Sequence, residues 1–100
     1  MSRRPELYDI LKRYVDNVYF QPPEYLKIYY PCIIFSREPD YRRAANNKGY
    51  VAHNLWDLVY IDQYPDSGVP DRLINDLPMC EATNYYVADN LNHVKLRLYF

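Results

Sequence analysis

Tyr29-Tyr30-Pro31-Cys32-Ile33-Ile34-Phe35 passes through a proline into four apolar residues without a polar break. A run of that kind reads as a strand covered on both faces, because a half-exposed strand would alternate. It predicts the central strand of a sheet. Upstream, Val18 to Phe20 is a short β-branched and aromatic stretch halted by Gln21-Pro22-Pro23. Two successive prolines cannot donate to a ladder, so this segment is an edge strand or a rigid turn. Downstream, Tyr50 to Asp62 predicts a long strand. Trp56, Leu58 and Tyr60 share one face; Leu55, Val59 and Ile61 share the other, with Asp57 among them. A strand of about twelve residues extends roughly 40 Å, more than a small core covers. One end of its hairpin is therefore expected to project, at the Asp40–Tyr50 tip, where Asn46-Asn47-Lys48-Gly49 signals a turn.

Helices bracket this strand set. From Pro5 to Val15, Leu7, Ile10, Leu11, Tyr14 and Val15 recur at helical spacing, with Asp9, Lys12, Arg13 and Asp16 opposite. Pro5 suits the first turn and Glu6 complements the dipole there. Pro65-Asp66-Ser67-Gly68 is a turn in which Asp66 or Ser67 can cap a second, short helix. Val69, Leu73, Ile74 and Leu77 form the apolar side of that helix, and Pro78 ends it. Two strands follow, Cys80 to Val87 and His93 to Phe100, separated by residues 88–92. The last alternates strictly: Val94, Leu96, Leu98 and Phe100 inward, His93, Lys95, Arg97 and Tyr99 outward. The predicted fold is α+β, in the order α-β-β-β-α-β-β. About five mostly antiparallel strands carry two helices on one face, with a long protruding β-hairpin. Residues 1–100 form a single domain, without repeats or low-complexity tracts.

Composition narrows the function. Tyrosine supplies thirteen of the 100 residues, against three phenylalanines and one tryptophan. Each ring brings a hydroxyl that a core must satisfy, and a small domain buries only about two-thirds of its unfolded surface. Tyrosine suits surfaces that are wet in one state and covered in another, so contact with other subunits is the expected business of the chain. A net charge of −1 argues against generic nucleic-acid binding. No apolar run approaches the roughly 18–20 residues that span a bilayer, and the N-terminus does not read as a secretory signal. Cys32 and Cys80 are expected to be reduced core residues of an intracellular chain.

Motifs for chemistry are absent. His53 and Asp57 fall on one face of the long strand, but no serine has the nucleophile-elbow context, so His53 reads as a strand residue and not a base. His93 reads as a hydrogen-bonding residue near Asn90 and Asn92. Neither cysteine has the close partner of a zinc site, the aspartates do not follow the EF-hand pattern, and Gly49 and Gly68 cannot make a phosphate loop. No enzyme activity, cofactor or metal is expected. The basic tip, Arg42, Arg43 and Lys48 beside Tyr41 and Tyr50, could meet phosphates, a neighbouring subunit or only solvent.

Three phrases carry a resemblance. They are Val18-Tyr19-Phe20-Gln21-Pro22-Pro23 with Tyr30-Pro31-Cys32-Ile33-Ile34-Phe35; Asp62 with Pro65-Asp66-Ser67, Pro70-Asp71-Arg72-Leu73 and Leu77-Pro78-Met79-Cys80; and Tyr86 through His93 with the strand to Tyr99. Together they resemble the tail-terminator (tail-completion, or neck) proteins of long-tailed bacteriophages, over nearly the whole chain. The resemblance implies a structural virion protein located in the tail neck, and in the host cytoplasm during assembly. It implies a homo-oligomeric ring, a hexamer, at the head-proximal end of the tail tube. The ring stops polymerisation of the tail tube protein and joins the head connector or stopper protein, while DNA passes the channel without specific binding. A net charge leaning acidic suits that passage. A heterologous interface that closes after a fixed number of copies is required. In this setting Tyr41, Arg42, Arg43, Lys48 and Tyr50 are expected to reach a neighbouring subunit or tube ring. Tyr19, Phe20, Gln21, Pro22 and Pro23 are expected to form a stiff docking ledge. The alternatives are a head-side stopper or adaptor, a tube subunit, or, in another class, a small nucleic-acid-binding protein.

Overall fold

A computed structural model describes residues 4–37, 55–77 and 79–100. The elements are α1 (Arg4–Leu11), β1 (Asn17–Phe20), β2 (Cys32–Arg37), β3 (Leu55–Asp62), α2 (Val69–Asp76), β4 (Cys80–Ala88) and β5 (Leu91–Tyr99). The strands make one five-stranded sheet in the order β1-β2-β3-β5-β4. The β1–β2 pair is parallel and the remaining pairs are antiparallel. The α+β class and the order α-β-β-β-α-β-β are as the sequence reading expects; the sheet is mixed. The Asp40–Tyr50 tip of the expected hairpin, and residues 50–54 of its second strand, lie outside the described residues.

The middle of the sheet is β3, not the Cys32–Phe35 strand. Every residue of β3 has a partner on β5, from Leu55↔Tyr99 to Asp62↔Asn92, and Trp56 to Ile61 also pair with β2. Strand β2 is one place from the edge because β1 lies parallel on its other side, as an edge strand that precedes the Pro22-Pro23 stop.

Register explains where the core lies. Residues directly opposite on neighbouring strands point to the same face. Val18, Ile33, Tyr60 and Val94 form one row, Phe20, Phe35, Leu58 and Leu96 the next, and Trp56 and Leu98 the third. Both helices close on this face: Leu7 and Leu11 of α1, and Leu73 with Leu77 at the end of α2, join the same buried cluster. Phe20, Phe35 and Trp56 meet as tilted and edge-on rings 5.1 to 6.3 Å apart, an arrangement that suits the ring quadrupoles. The Trp56 indole N–H donates to the Phe100 carbonyl at 3.4 Å. On the opposite face Cys32, Leu55 and Ile61 are buried, and Ile34 and Val59 are half-buried.

Three boundaries differ from expectation for local reasons. The first helix ends at Leu11, four residues short of Val15, because the backbone tightens: Arg13 N–H donates to Ile10 and Tyr14 N–H to Leu11. Val15 still reaches the core from this turn. Helix α2 stops where Leu77 becomes extended (φ −99, ψ 131), the conformation favoured before a proline. The loop expected at residues 88–92 shrinks to a two-residue turn. Asp89 (φ 54) and Asn90 (φ 63) both take the left-handed conformation that a tight hairpin with the right strand twist demands. Cys32 and Cys80 are free and buried.

Leu58 is fully buried in the middle row of the core. Leu58→Ala is expected to cost about 2–5 kcal/mol in urea unfolding. Tyr25→Ala, at a position 90% exposed, is expected to stay within about 0.5 kcal/mol of the parent.

Candidate interaction surface

The end of the molecule where β3 hands over to α2 is organised by one buried carboxylate. Asp62, only 6% exposed, accepts the Tyr60 hydroxyl at 2.6 Å through Oδ2 and the Tyr64 N–H at 3.1 Å through Oδ1. The Tyr60 hydroxyl also lies 2.8 Å from Ser67 Oγ, which accepts the Val69 N–H at 3.3 Å. Asn92 Nδ2 donates to the Asp62 and Gln63 carbonyls, fastening the β5 start to this turn. Ser67 therefore takes up a backbone donor at the head of α2, although Gly68 is the capping residue and makes no side-chain bond. Burial and the Asp62 hydrogen bond push the Tyr60 hydroxyl up from 10.0 to about 12.

Beside this turn lies a cleft of about 560 Å³. Pro65, Ser67 and Pro70 form one wall, and Tyr85, Val87 and Val94 line the other side. Tyr85 is 65% exposed and Val87 70%, large values for apolar groups on a strand. Tyr86, on the opposite face of β4, stacks on His93 with ring centres 4.6 Å apart and 14° between planes. His93 Nδ1 lies 3.0 Å from the Leu91 carbonyl. This agrees with a hydrogen-bonding histidine. The arrangement presents aromatic and aliphatic surface beside hydroxyl and carboxylate groups.

A second aromatic surface is the segment between β1 and β2. Tyr25, Leu26, Tyr29 and Tyr30 are all exposed, and Lys27 Nζ sits 5.3 Å from the Tyr29 ring centre. The segment is tied to β1 by Tyr29 N–H donating to the Tyr19 hydroxyl at 3.2 Å and by Asn17 Nδ2 donating to the Pro31 carbonyl at 3.1 Å.

The residues singled out from sequence are distributed unevenly over these surfaces. Tyr41, Arg42, Arg43, Lys48, Tyr50 and His53 lie outside the described residues. Tyr19 through Pro23 do not form one ledge. Alternation along β1 turns Phe20 into the core against Phe35, with the Arg4 guanidinium 4.7 Å over its ring, and turns Tyr19 to the other face. Gln21 (φ 42) then bends the chain, and Gln21 and Pro23 are exposed. Tyr85, Tyr86 and Val87 were not singled out. Their signal was present in the sequence: three consecutive large apolar residues on a strand must put at least one on each face.

Among the described residues no cluster of histidine, cysteine, aspartate or glutamate is suited to a metal ion, and no helix is long and apolar enough to cross a membrane. No family model, curated protein or solved structure matches the chain.

The buried hydroxyl and thiols set an alkaline limit. Burial pushes Cys32 and Cys80 up from 9.0 to about 11, with Glu81 adding to the Cys80 shift. Each of these groups is held neutral by the fold, so its contribution is complete below its ordinary value and is lost as the pH rises through the raised one. Stability in urea is expected to be level up to about pH 9 and to fall between there and pH 12. Tyr60→Phe lowers the plateau, because Asp62 loses a donor, and makes the fall above pH 10 shallower.

Proposed function

We propose that this protein is a ring-forming structural subunit of a bacteriophage tail, the terminator that ends the tube and joins it to the head connector. The observation that carries the reading is the placement of the tyrosines. Among the described ones only Tyr60 is buried, while Tyr25, Tyr64 and Tyr85 are 90%, 72% and 65% exposed. Such rings give large contact area at low entropy cost when a partner covers them. Isolated exposed apolar residues need no explanation, but grouped ones mark interaction sites. Here Tyr85, Tyr86 and Val87 group at the cleft, and Tyr25, Leu26, Tyr29 and Tyr30 group along residues 21–31.

Two separate surfaces on one subunit suit a closed ring, which needs unlike patches joined head to tail, with a further face left for the tube or the connector. Tyr41, Arg42, Arg43, Lys48 and Tyr50 have the chemistry to reach carboxylates of a neighbour or of the tube. In this reading the protein performs no catalysis, and DNA passes the ring without specific contacts.

Removing the gene from the phage and imaging the particles tests the proposal. Overlong tails, or full-length tails detached from filled heads, are expected; virions of normal length and joining would sink it. Reversing the charge of Arg42 and Arg43 together is expected to reduce the yield of joined particles, read by plaque titre and microscopy.

A further inference from the structure

We infer that the exposed edge of β4 is the surface that joins one copy to the next, by adding antiparallel to the β1 edge of a neighbouring copy. The choice of a second copy as partner rests on the ring reading above; the geometry of the junction is independent of it.

The two outer strands of the sheet are β1 and β4. Natural edge strands are kept from pairing by charges, prolines, bulges or brevity. Strand β4 has two such devices, both in its first half: the charge of Glu81 and the register shift between Ala82 and Asn84. Beyond them, Asn84 to Ala88 carries no charge and no proline, and Tyr85 and Val87 are largely uncovered. Strand β1 is likewise uncharged over its four residues, Asn17 to Phe20, and Pro22-Pro23 limits any partner to that length.

Backbone direction shows that the edges fit. The two-residue turn at Asp89-Asn90 makes Ala88 and Leu91 a hydrogen-bonded pair. Bonded and non-bonded pairs alternate along an antiparallel ladder, so Tyr86 and Asn84 address β5, while Tyr85 and Val87 turn their N–H and C=O groups off the sheet. In agreement, the Tyr85 N–H is taken by its neighbour's side chain, Asn84 Oδ1, at 2.9 Å. At the other edge, Gln21 N–H donates inward to the Phe35 carbonyl, so by the same alternation Val18 and Phe20 direct their backbone groups outward. The outward residues at both edges, Val18 and Phe20 on β1, Tyr85 and Val87 on β4, carry their side chains on the helix-covered face. An antiparallel junction needs that match, since opposed residues share a face. Setting Val18 opposite Val87 and Phe20 opposite Tyr85 satisfies it. Tyr19 then meets Tyr86 on the other face as a non-bonded pair, where side chains approach most closely. Running β1 and β4 antiparallel also continues the strand directions already present in the sheet.

Cysteine pairing tests the junction. Tyr19→Cys and Tyr86→Cys proteins are prepared separately, mixed at high concentration and oxidised. A disulfide-linked dimer is expected in the mixture and not in either protein alone; the native cysteines are buried and free. Because Tyr19 anchors the Tyr29 N–H, Asn17→Cys with Ala88→Cys provides a second non-bonded pair in the same register. Val87→Lys, which places a charge on the edge, is expected to lower the yield of mixed dimer severalfold. Cross-linking of Tyr86→Cys with itself indicates two-fold β4 pairing and overturns the inference, as does the absence of mixed dimer from both pairs. Rings seen by microscopy without mixed dimers leave the proposed function standing and remove this junction. Mixed dimers in open chains, with tails unaffected by loss of the gene, keep the junction and remove the proposed function.

Discussion

Burial of the Trp56 indole is the constraint around which the fold is arranged. The ring has no exposed surface, and its N–H must still find an acceptor. Strand β3 carries it at the middle of the sheet, β1 and β2 bring Phe20 and Phe35 against it, and the chain's last residue supplies the carbonyl. That carbonyl is within reach because the β5 pairing sets Leu98 beside Trp56. One aromatic thus links the pairing of the central strands to the placement of Phe100.

Around that core the polar demand is concentrated at one end. A buried carboxylate with two donors, and a buried hydroxyl between Asp62 and Ser67, make the β3–α2 turn a bonded unit where a loose loop would otherwise stand. No buried side-chain nitrogen or oxygen among the described residues lacks a partner. A turn held this firmly keeps the wall of the neighbouring cleft in place, so the exposed Tyr85 and Val87 face a rigid surface. Preorganisation of that kind lowers the entropy cost of any contact made there.

The two helices and the open half of the sheet divide the molecule chemically. Leu7, Leu11, Leu73 and Leu77 satisfy one sheet face within the chain. The second half of strand β4 holds apolar residues, Tyr85 and Val87, that stay largely exposed beside the cleft. The tyrosine richness of the chain is explained by this geometry more than by core filling. Among the described tyrosines only Tyr60 is buried, with its hydroxyl engaged by Asp62 and Ser67.

Much of the architecture was legible in the residues. The strict alternation of Val94, Leu96 and Leu98, the split faces of β3 and the apolar side of α2 are local patterns, and local patterns survive folding because side-chain direction follows backbone period. The free, buried state of Cys32 and Cys80 also followed from their isolation in sequence. Placement of β2 beside a parallel β1, the exchange of the central position to β3, and the inward turn of Phe20 away from the expected ledge were not legible. They depend on which strands meet, and pairing is set by contacts between residues far apart in the chain, for which a single sequence holds no direct record. The uncovered β4 edge belongs to the same category: its apolar residues are written in the sequence, but their exposure depends on how the helices lie on the sheet.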